Sequence, residues 1–257
     1  MPSGVLLSLA GFDPTSGAGV TLDLKVFASH SFQGMGLATA ITVQNTQEVK
    51  DLHCLPAELL KRQYRALTED TDILGIKVGM LGCREHISTI ASILETRASL
   101  PAVIDPVLRS SSGTWLLEPD AVNDYMGTLA GRITLLTPNL EEAASITGSE
   151  VSGLDDMHAA ARQIYQDYGI PSLVKGGHLT GVIVDVLFDG SAYHVFERER
   201  TEGNVHGTGC FLSSSILCFL VQGRSLADAC RLAGDLTREA IRKAVPVGKG
   251  QRLIFLE

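Results

Sequence analysis

The chain has 257 residues, 45% hydrophobic and 19% charged, with a formal net charge of −8. That is apolar material enough for a sizeable core, and it excludes a disordered chain. The acidic balance argues against a general nucleic-acid binder, which needs a basic patch, but leaves anionic ligands open because backbone N–H groups hold phosphate without net positive charge.

Val5 to Ala10 is an apolar strand that stops at Gly11. A turn-rich stretch, Asp13-Pro14-Thr15-Ser16-Gly17, leads into a helical pattern from Ala18 to His30. A second strand is predicted over Leu37 to Val43, then a helix over Pro56 to Leu67 with the proline in its first turn. Gly75 to Met80 reads as a buried strand, and Ile87, Ile90, Ala91 and Leu94 follow helical spacing. Ala102 to Asp105 is a strand ended by Pro106, followed by a helix over Asp120 to Leu129 and a strand over Ile133 to Leu136. The stripe Met157, Ala160, Ala161, Ile164, Tyr165 and Tyr168 marks a helix ended by Gly169, with a strand over Ser172 to Lys175 after it. Val182 to Phe188 and Ala192 to Phe196 flank Asp189-Gly190, which predicts a hairpin with a type I′ turn. Two helices, Thr208 to Val221 and Leu226 to Ala244, close the chain.

Alternation of strand and helix predicts a mostly parallel sheet covered on both faces, with a late antiparallel hairpin, over one domain spanning residues 1–257. The cysteines, Cys54, Cys83, Cys210, Cys218 and Cys230, are odd in number and form no CxxC pair. A disulfide framework or zinc site is therefore disfavoured, and a reducing, cytoplasmic setting is expected. The N-terminus lacks a basic leader and no apolar run reaches membrane-spanning length, so no membrane partner is expected.

Ligands of such sheets bind beyond the C-terminal strand ends. Gly11, Gln44, Met80, Asp105, Asn139 and Lys175 all fall there. His206-Gly207-Thr208-Gly209-Cys210 opens a helix, where free N–H groups and the dipole suit an anion and would stabilise a Cys210 thiolate. Taken alone, the motif fits a glycine-rich helix start with a buried cysteine equally well. The Gly11-to-Gly19 loop lacks both the dinucleotide and the P-loop spacing, and a plain turn explains it. Asp105 and Glu142 have the chemistry to hold magnesium, although for Asp105 or the Asn139-to-Glu142 stretch alone helix capping is the better account, less naturally for Asp105 before its proline. Lys175 has the reach for a nucleotide phosphate, and the Gln44 amide suits an aminopyrimidine edge. His178 and His194 read as surface or turn residues.

Seven blocks in order resemble the hydroxymethylpyrimidine and phosphomethylpyrimidine kinases of thiamine biosynthesis, within the ribokinase-like superfamily. They are Ala10-Gly11-Phe12-Asp13-Pro14 with Gly17-Ala18-Gly19, Val43-Gln44-Asn45-Thr46, Lys77-Val78-Gly79-Met80-Leu81, Val103-Ile104-Asp105-Pro106-Val107, Thr137 to Ala143, Val174 to His178, and His206 to Cys210. The resemblance implies a three-layer α/β/α kinase that uses ATP and Mg2+ and forms a homodimer. It places Gln44, Gly11, Asp13, Met80 and Val107 at the pyrimidine. It places Asn139, Lys175 and Thr208 at the nucleotide, and Asp105 and Glu142 at the metal. Gly207, Thr208 and Gly209 become the anion hole, and Cys210 the candidate base or a contact to the reacting hydroxyl. The chain departs from the family in one loop: the usual lysine before Ser-Gly is missing, and the stretch runs Leu108-Arg109-Ser110-Ser111-Ser112-Gly113-Thr114-Trp115, with Arg109 as the nearby charge. Pyridoxal or pyridoxine phosphorylation and non-catalytic pyrimidine sensing are the alternative readings.

Overall fold

A computed structural model describes residues 2–110, 113, 115–177, 182–201 and 203–256. In chain order the elements are β1 (Val5–Phe12), α1 (Gly19–Ser29), β2 (Gln33–Gln44), β3 (Val49–Cys54), α2 (Ala57–Thr68), β4 (Ile73–Val78), α3 (Glu85–Glu95) and β5 (Ala102–Ile104). They continue with α4 (Val122–Leu129), β6 (Leu135–Leu136), α5 (Leu140–Thr147), α6 (Leu154–Tyr168), β7 (Ser172–Lys175), β8 (Ile183–Phe188) and β9 (Tyr193–Arg198). The last are β10 (Val205–His206), α7 (Thr208–Val221), α8 (Leu226–Lys243) and β11 (Arg252–Leu253).

Among the described residues, nine strands form one sheet in the order β3-β2-β1-β4-β5-β6-β7-β8-β9. The pairs from β2 through β1 and β4 to β7 are parallel. Both edges are antiparallel: β3 on β2 at one side, and β8 and β9 beyond β7 at the other. The late hairpin is thus present, but a second hairpin, β2–β3, was not expected from the sequence. The late turn is also not type I′. Positive φ occurs at Gly190 (+100°) and not at Asp189. Asp189 instead accepts hydrogen bonds from Ser191 N and Ala192 N on its own carboxylate, which stabilises the turn without the left-handed geometry. Pro56 sits one residue ahead of the first turn of α2, as its N-cap.

Alternation along the central strands sorts the core into two faces. Leu7, Leu9, Ile76 and Ile104 pack with Ile90 of α3 and Tyr125 of α4. Leu6 and Val103 face the other way, against Phe27 of α1, Leu212 and Ile216 of α7, and Ala229 of α8. The result is three layers, helices on both faces of one sheet. The strand order reverses between β1 and β4, which creates a crevice at their C-terminal ends. Helix α7 is buried from Phe211 to Cys218, so its N-terminal turn is held rigidly against that crevice. Among the described residues no helix is long and apolar enough to cross a membrane.

One polar cluster lies inside this core. Lys77 Nζ donates to both Asp23 oxygens at 2.9 and 3.0 Å, and both residues are 0% exposed. Ser8 Oγ and Ser214 Oγ also donate to Asp23, at 2.6 and 2.8 Å. The cluster therefore ties β1, α1, β4 and α7 together. Burial works against the Lys77 charge, but Asp23 holds its ammonium above the ordinary value. Removing one partner of such a pair strands a buried charge. Lys77→Met is expected to cost about 3–5 kcal/mol in urea unfolding, while the Lys77→Met, Asp23→Asn double variant recovers part of that loss.

Candidate active site

The crevice encloses about 550 Å³, and Gly11, Asp13, Gln44, Met80, Asp105, Val107, Asn139, Glu142, Lys175 and Gly207 through Cys210 all line it. Every residue singled out in the sequence for ligand contact is thus brought to one place. His178 lies outside the described residues, as do Ser111, Ser112, Thr114 and Glu202. His194 is a strand residue whose Nε2 lies 2.8 Å from Asp189 Oδ2, at the hairpin and away from the crevice.

The glycine-rich turn is built by close approach. Gly207 has φ +78°, and a Cβ there would lie 1.9 Å from the carbonyl oxygen of Gly17. Only glycine lets the two loops meet in this way. No side chain caps α7, so its first-turn N–H groups remain for a ligand at the crevice wall. A Cβ on Gly209 would lie 3.1 Å from Asp105 Oδ2 and 3.3 Å from Lys175 Nζ. The turn therefore opens directly onto a carboxylate and an ammonium.

Those two groups form a pair. Lys175 Nζ donates to Asp105 Oδ1 at 2.8 Å, with side-chain exposures of 15% and 4%. Burial opposes the Lys175 charge, yet Asp105 keeps its ammonium above the ordinary value. Lys175 is positioned by its backbone, whose N–H donates to Pro138 O at 2.8 Å beside Asn139. Asn139 and Glu142 form a reciprocal capping box at the start of α5: Asn139 N donates to Glu142 Oε2 and Glu142 N to Asn139 Oδ1, each at 2.8 Å. The capping account holds for this stretch, whereas Asp105 caps no helix and serves Lys175. Burial, reinforced by the nearby Asp105, pushes the Glu142 carboxyl up to about 7. Asp105 and Glu142 offer oxygen donors only, which fits a hard cation bound by one or two carboxylates and substrate phosphates. Among the described residues no set of three or more ligating side chains gathers into an all-protein metal cage.

Cys210 departs from expectation. It lies in the first turn of α7 and lines the crevice, but burial pushes its thiol up to about 11. Lys77 opposes the shift, while the negative charges of Asp23 and Asp105 add to it. The shift is opposite in direction to the lowering expected from a helix start.

At the opposite wall the Gln44 amide lies 3.0 Å from His206 Nε2 and 3.2 Å from Thr42 Oγ1. His206 Nε2 also lies 3.0 Å from Asp13 Oδ2. Asp13 accepts from Thr15 N and Ala18 N at 2.8 and 3.0 Å. Burial works against its charge, but the bonds from His206 and Thr15 hold the carboxyl below its usual range. Arg109 Cζ stacks 3.8 Å over the Trp115 ring, with Arg109 reaching the crevice.

Known proteins match this architecture end to end. A sequence profile of the phosphomethylpyrimidine kinase family covers residues 13–254. The chain belongs to that family. A hydroxymethylpyrimidine/phosphomethylpyrimidine kinase of Aquifex aeolicus is 35% identical over 97% of this chain and 99% of its own. The structure of phosphomethylpyrimidine kinase from Clostridium difficile superposes with a TM-score of 0.80 at 34% identity, over 93% of this chain and all of that one. A Staphylococcus aureus pyridoxal kinase in complex with AMP-PCP and pyridoxal gives a TM-score of 0.87 at 27% identity, over 98% and 92% of the two chains.

Sequence reasoning assigned no role to Lys77, Asp23 or His206. Signals for the first two were present: a lysine inside the apolar run Ile76-Lys77-Val78, and an aspartate on the buried stripe of α1 with Val20 and Val26.

The Glu142 shift has a consequence for stability. Between its ordinary 4.5 and about 7 the folded protein binds more proton than the unfolded chain. Stability therefore falls as pH rises through that window. Glu142→Gln, which keeps an oxygen for Asn139 N, is expected to flatten this part of a pH series of urea midpoints.

Proposed function

We propose that this protein transfers the γ-phosphoryl group of ATP to the hydroxymethyl oxygen of 4-amino-5-hydroxymethyl-2-methylpyrimidine, and then to the phosphate of the resulting monophosphate, as steps of thiamine biosynthesis. The observation that carries the reading is the uncapped first turn of α7, which opens into the crevice between the Lys175–Asp105 pair and the Gln44 amide. Phosphoryl transfer needs in-line alignment, charge neutralisation and donors on the equatorial oxygens, and little covalent chemistry from the protein. The first-turn N–H groups of Thr208, Gly209 and Cys210 supply the donors. Lys175 and Asn139 lie on the nucleotide side, and Asp105 and Glu142 would hold Mg2+, which neutralises phosphate charge when bound. Gly11, Asp13, Gln44, Met80 and Val107 take the heterocycle.

In the first reaction the hydroxyl oxygen bonds to the γ-phosphorus, the bond to the ADP oxygen breaks, and the hydroxyl proton passes to an oxygen of the transferred phosphoryl group and from there to solvent. A loose transition state holds that proton until late. A neutral Cys210 thiol suits a contact that orients the hydroxyl better than a standing base does. In the second reaction a phosphate oxygen is the nucleophile and no hydroxyl proton is lost. Arg109, held over Trp115, provides positive charge for the monophosphate close to the loop position of the missing lysine. A cytoplasmic homodimer completes the reading. It is supported by five free cysteines and by the exposed Ile41 and Val43 of β2.

Phosphorylation of pyridoxal is the second reading, favoured by the fold shared with the pyridoxal-bound S. aureus kinase. Purified protein with ATP and Mg2+ is expected to convert the pyrimidine to mono- and diphosphate, read by mass, with a higher kcat/KM than for pyridoxal. A preference for pyridoxal selects the second reading, and no turnover of either rejects both. Arg109→Ala is expected to raise KM for the monophosphate by about tenfold, roughly one charge-assisted contact, while leaving the first phosphorylation within about twofold.

A further inference from the structure

The contacts around His206 determine where the protons lie. Asp13 Oδ2, already accepting from Ala18 N at 3.0 Å, is an acceptor only, so His206 Nε2 at 3.0 Å from it must carry hydrogen. An Nε2–H cannot also accept from an amide NH2. The structure has the Gln44 amide nitrogen 3.0 Å from this ring nitrogen, but the two ends of an amide are alike in shape, and the proton count reverses them, so that the oxygen faces His206. The contacts of Thr42 accommodate the same orientation. Thr42 Oγ1 has one proton and lies 3.1 Å from the Phe12 carbonyl oxygen and 3.2 Å from the other end of the Gln44 amide. With the amide oxygen turned to His206, the Thr42 proton goes to the Phe12 carbonyl and the hydroxyl oxygen accepts from the amide NH2, so both Thr42 contacts are satisfied. With this assignment every donor in the chain Thr42, Gln44, His206, Asp13 has an acceptor, and with the reverse two N–H groups face each other.

The ring itself is wedged in place. A Cβ on Gly17 would lie 2.6 Å from His206 Cδ2, so the absence of a side chain there is what admits the imidazole.

We infer that the Asp13–His206 pair is a positioning device that locks the Gln44 amide in one orientation, oxygen toward His206 and nitrogen toward Thr42, and thereby sets the order of acceptor and donor offered to a substrate edge. The inference takes its substrate from the pyrimidine kinase reading above, but its geometry stands without it. An amide locked in this way retains one oxygen lone pair and one N–H for the crevice. An aminopyrimidine edge, with an exocyclic NH2 beside an unprotonated ring nitrogen, complements that order in one pose. A 4-oxo analogue, with C=O beside a ring N–H, presents the reverse order and requires the amide to turn over, which the His206 proton forbids. His206 is thus a determinant of which edge the enzyme accepts, acting through Gln44.

Two measurements test this. The first needs no turnover: long-range proton–nitrogen correlation spectra of the full-length protein, with His206 assigned through His206→Phe, are expected to show Nε2 protonated. An unprotonated Nε2 overturns the inference even if the protein proves to be an active kinase. The second compares kcat/KM for the 4-amino substrate and its 4-oxo analogue. Wild type is expected to prefer the amino form by about 100-fold or more, the scale of a mispaired polar edge. In His206→Phe the ratio is expected to fall to about tenfold or less, with KM for ATP unchanged. Gly17→Ala, which displaces the ring but keeps every hydrogen-bonding group, is expected to lower the ratio in the same direction and serves if His206→Phe does not fold. An unchanged ratio in a folded variant contradicts the lock. Absence of turnover in wild type contradicts the kinase reading instead, and leaves the spectrum to decide the inference.

Discussion

A lysine and an aspartate with no access to water hold this molecule's working end together. Lys77 rises from the middle of the sheet and Asp23 descends from α1, and Ser8 and Ser214 complete the aspartate's hydrogen bonds. The cluster lies just below the first turn of α7, so whatever that turn binds is referenced to β1 and β4, the strands that flank the crevice. It also constrains its neighbours. A Cβ on Gly79 would lie 2.9 Å from Lys77 Nζ, so the strand end beside it has no room for a side chain. A buried pair of this kind adds little net stability compared with apolar packing, but breaking it is costly, which suits a feature whose task is to fix geometry.

From that anchor the crevice acquires a consistent electrostatic design. The chain is acidic overall, yet the ligand expected here is a polyanion. The positive character is local: one buried ammonium at Lys175, the uncapped N–H groups of α7, and Arg109 at the entrance. The carboxyl groups of Asp105 and Glu142 lie among them, and burial raises Glu142 above the ordinary carboxylate range. A divalent cation held by Asp105 and Glu142 would offset that negative charge. The opposite wall is different in kind. There, Asp13, His206, Gln44 and Thr42 form a hydrogen-bond chain with no net positive charge to spend on phosphate, which suits recognition of a neutral heterocycle.

Much of the scaffold was legible because its signals are local. β7 and α7 begin and end where the apolar pattern says, and Gly169 ends α6 in the left-handed conformation, φ +68°. The strand-end residues could be gathered into one site because the parallel topology brings all C-terminal ends to one side. What was missed depends on tertiary contact. β3, Val-Lys-Asp-Leu-His-Cys, is a mostly exposed edge strand with little apolar content, held by its pairing to β2 rather than by its own pattern. The parallel pair β10–β11 is two residues long on each side and joins segments far apart in the chain. Asp189-Gly190 suggested one turn type, but the aspartate side chain stabilised another. Cys210 is the most instructive case. The helix start predicted a lowered pKa, and burial together with Asp23 and Asp105, none of which is visible from the local motif, reversed the sign.

The first turn of α7 is the proposed seat of the transferring phosphoryl group. Gly209→Ala tests it with the least disturbance, because alanine favours a helix more than glycine does, by up to about 1 kcal/mol. The new methyl group would lie 3.1 Å from Asp105 Oδ2 and 3.3 Å from Lys175 Nζ, in the space assigned to phosphate. The account predicts a kcat for pyrimidine phosphorylation lower by about 100-fold, comparable to losing one transition-state donor, with an unchanged or higher Tm. Wild-type turnover from a folded Gly209→Ala variant would contradict it.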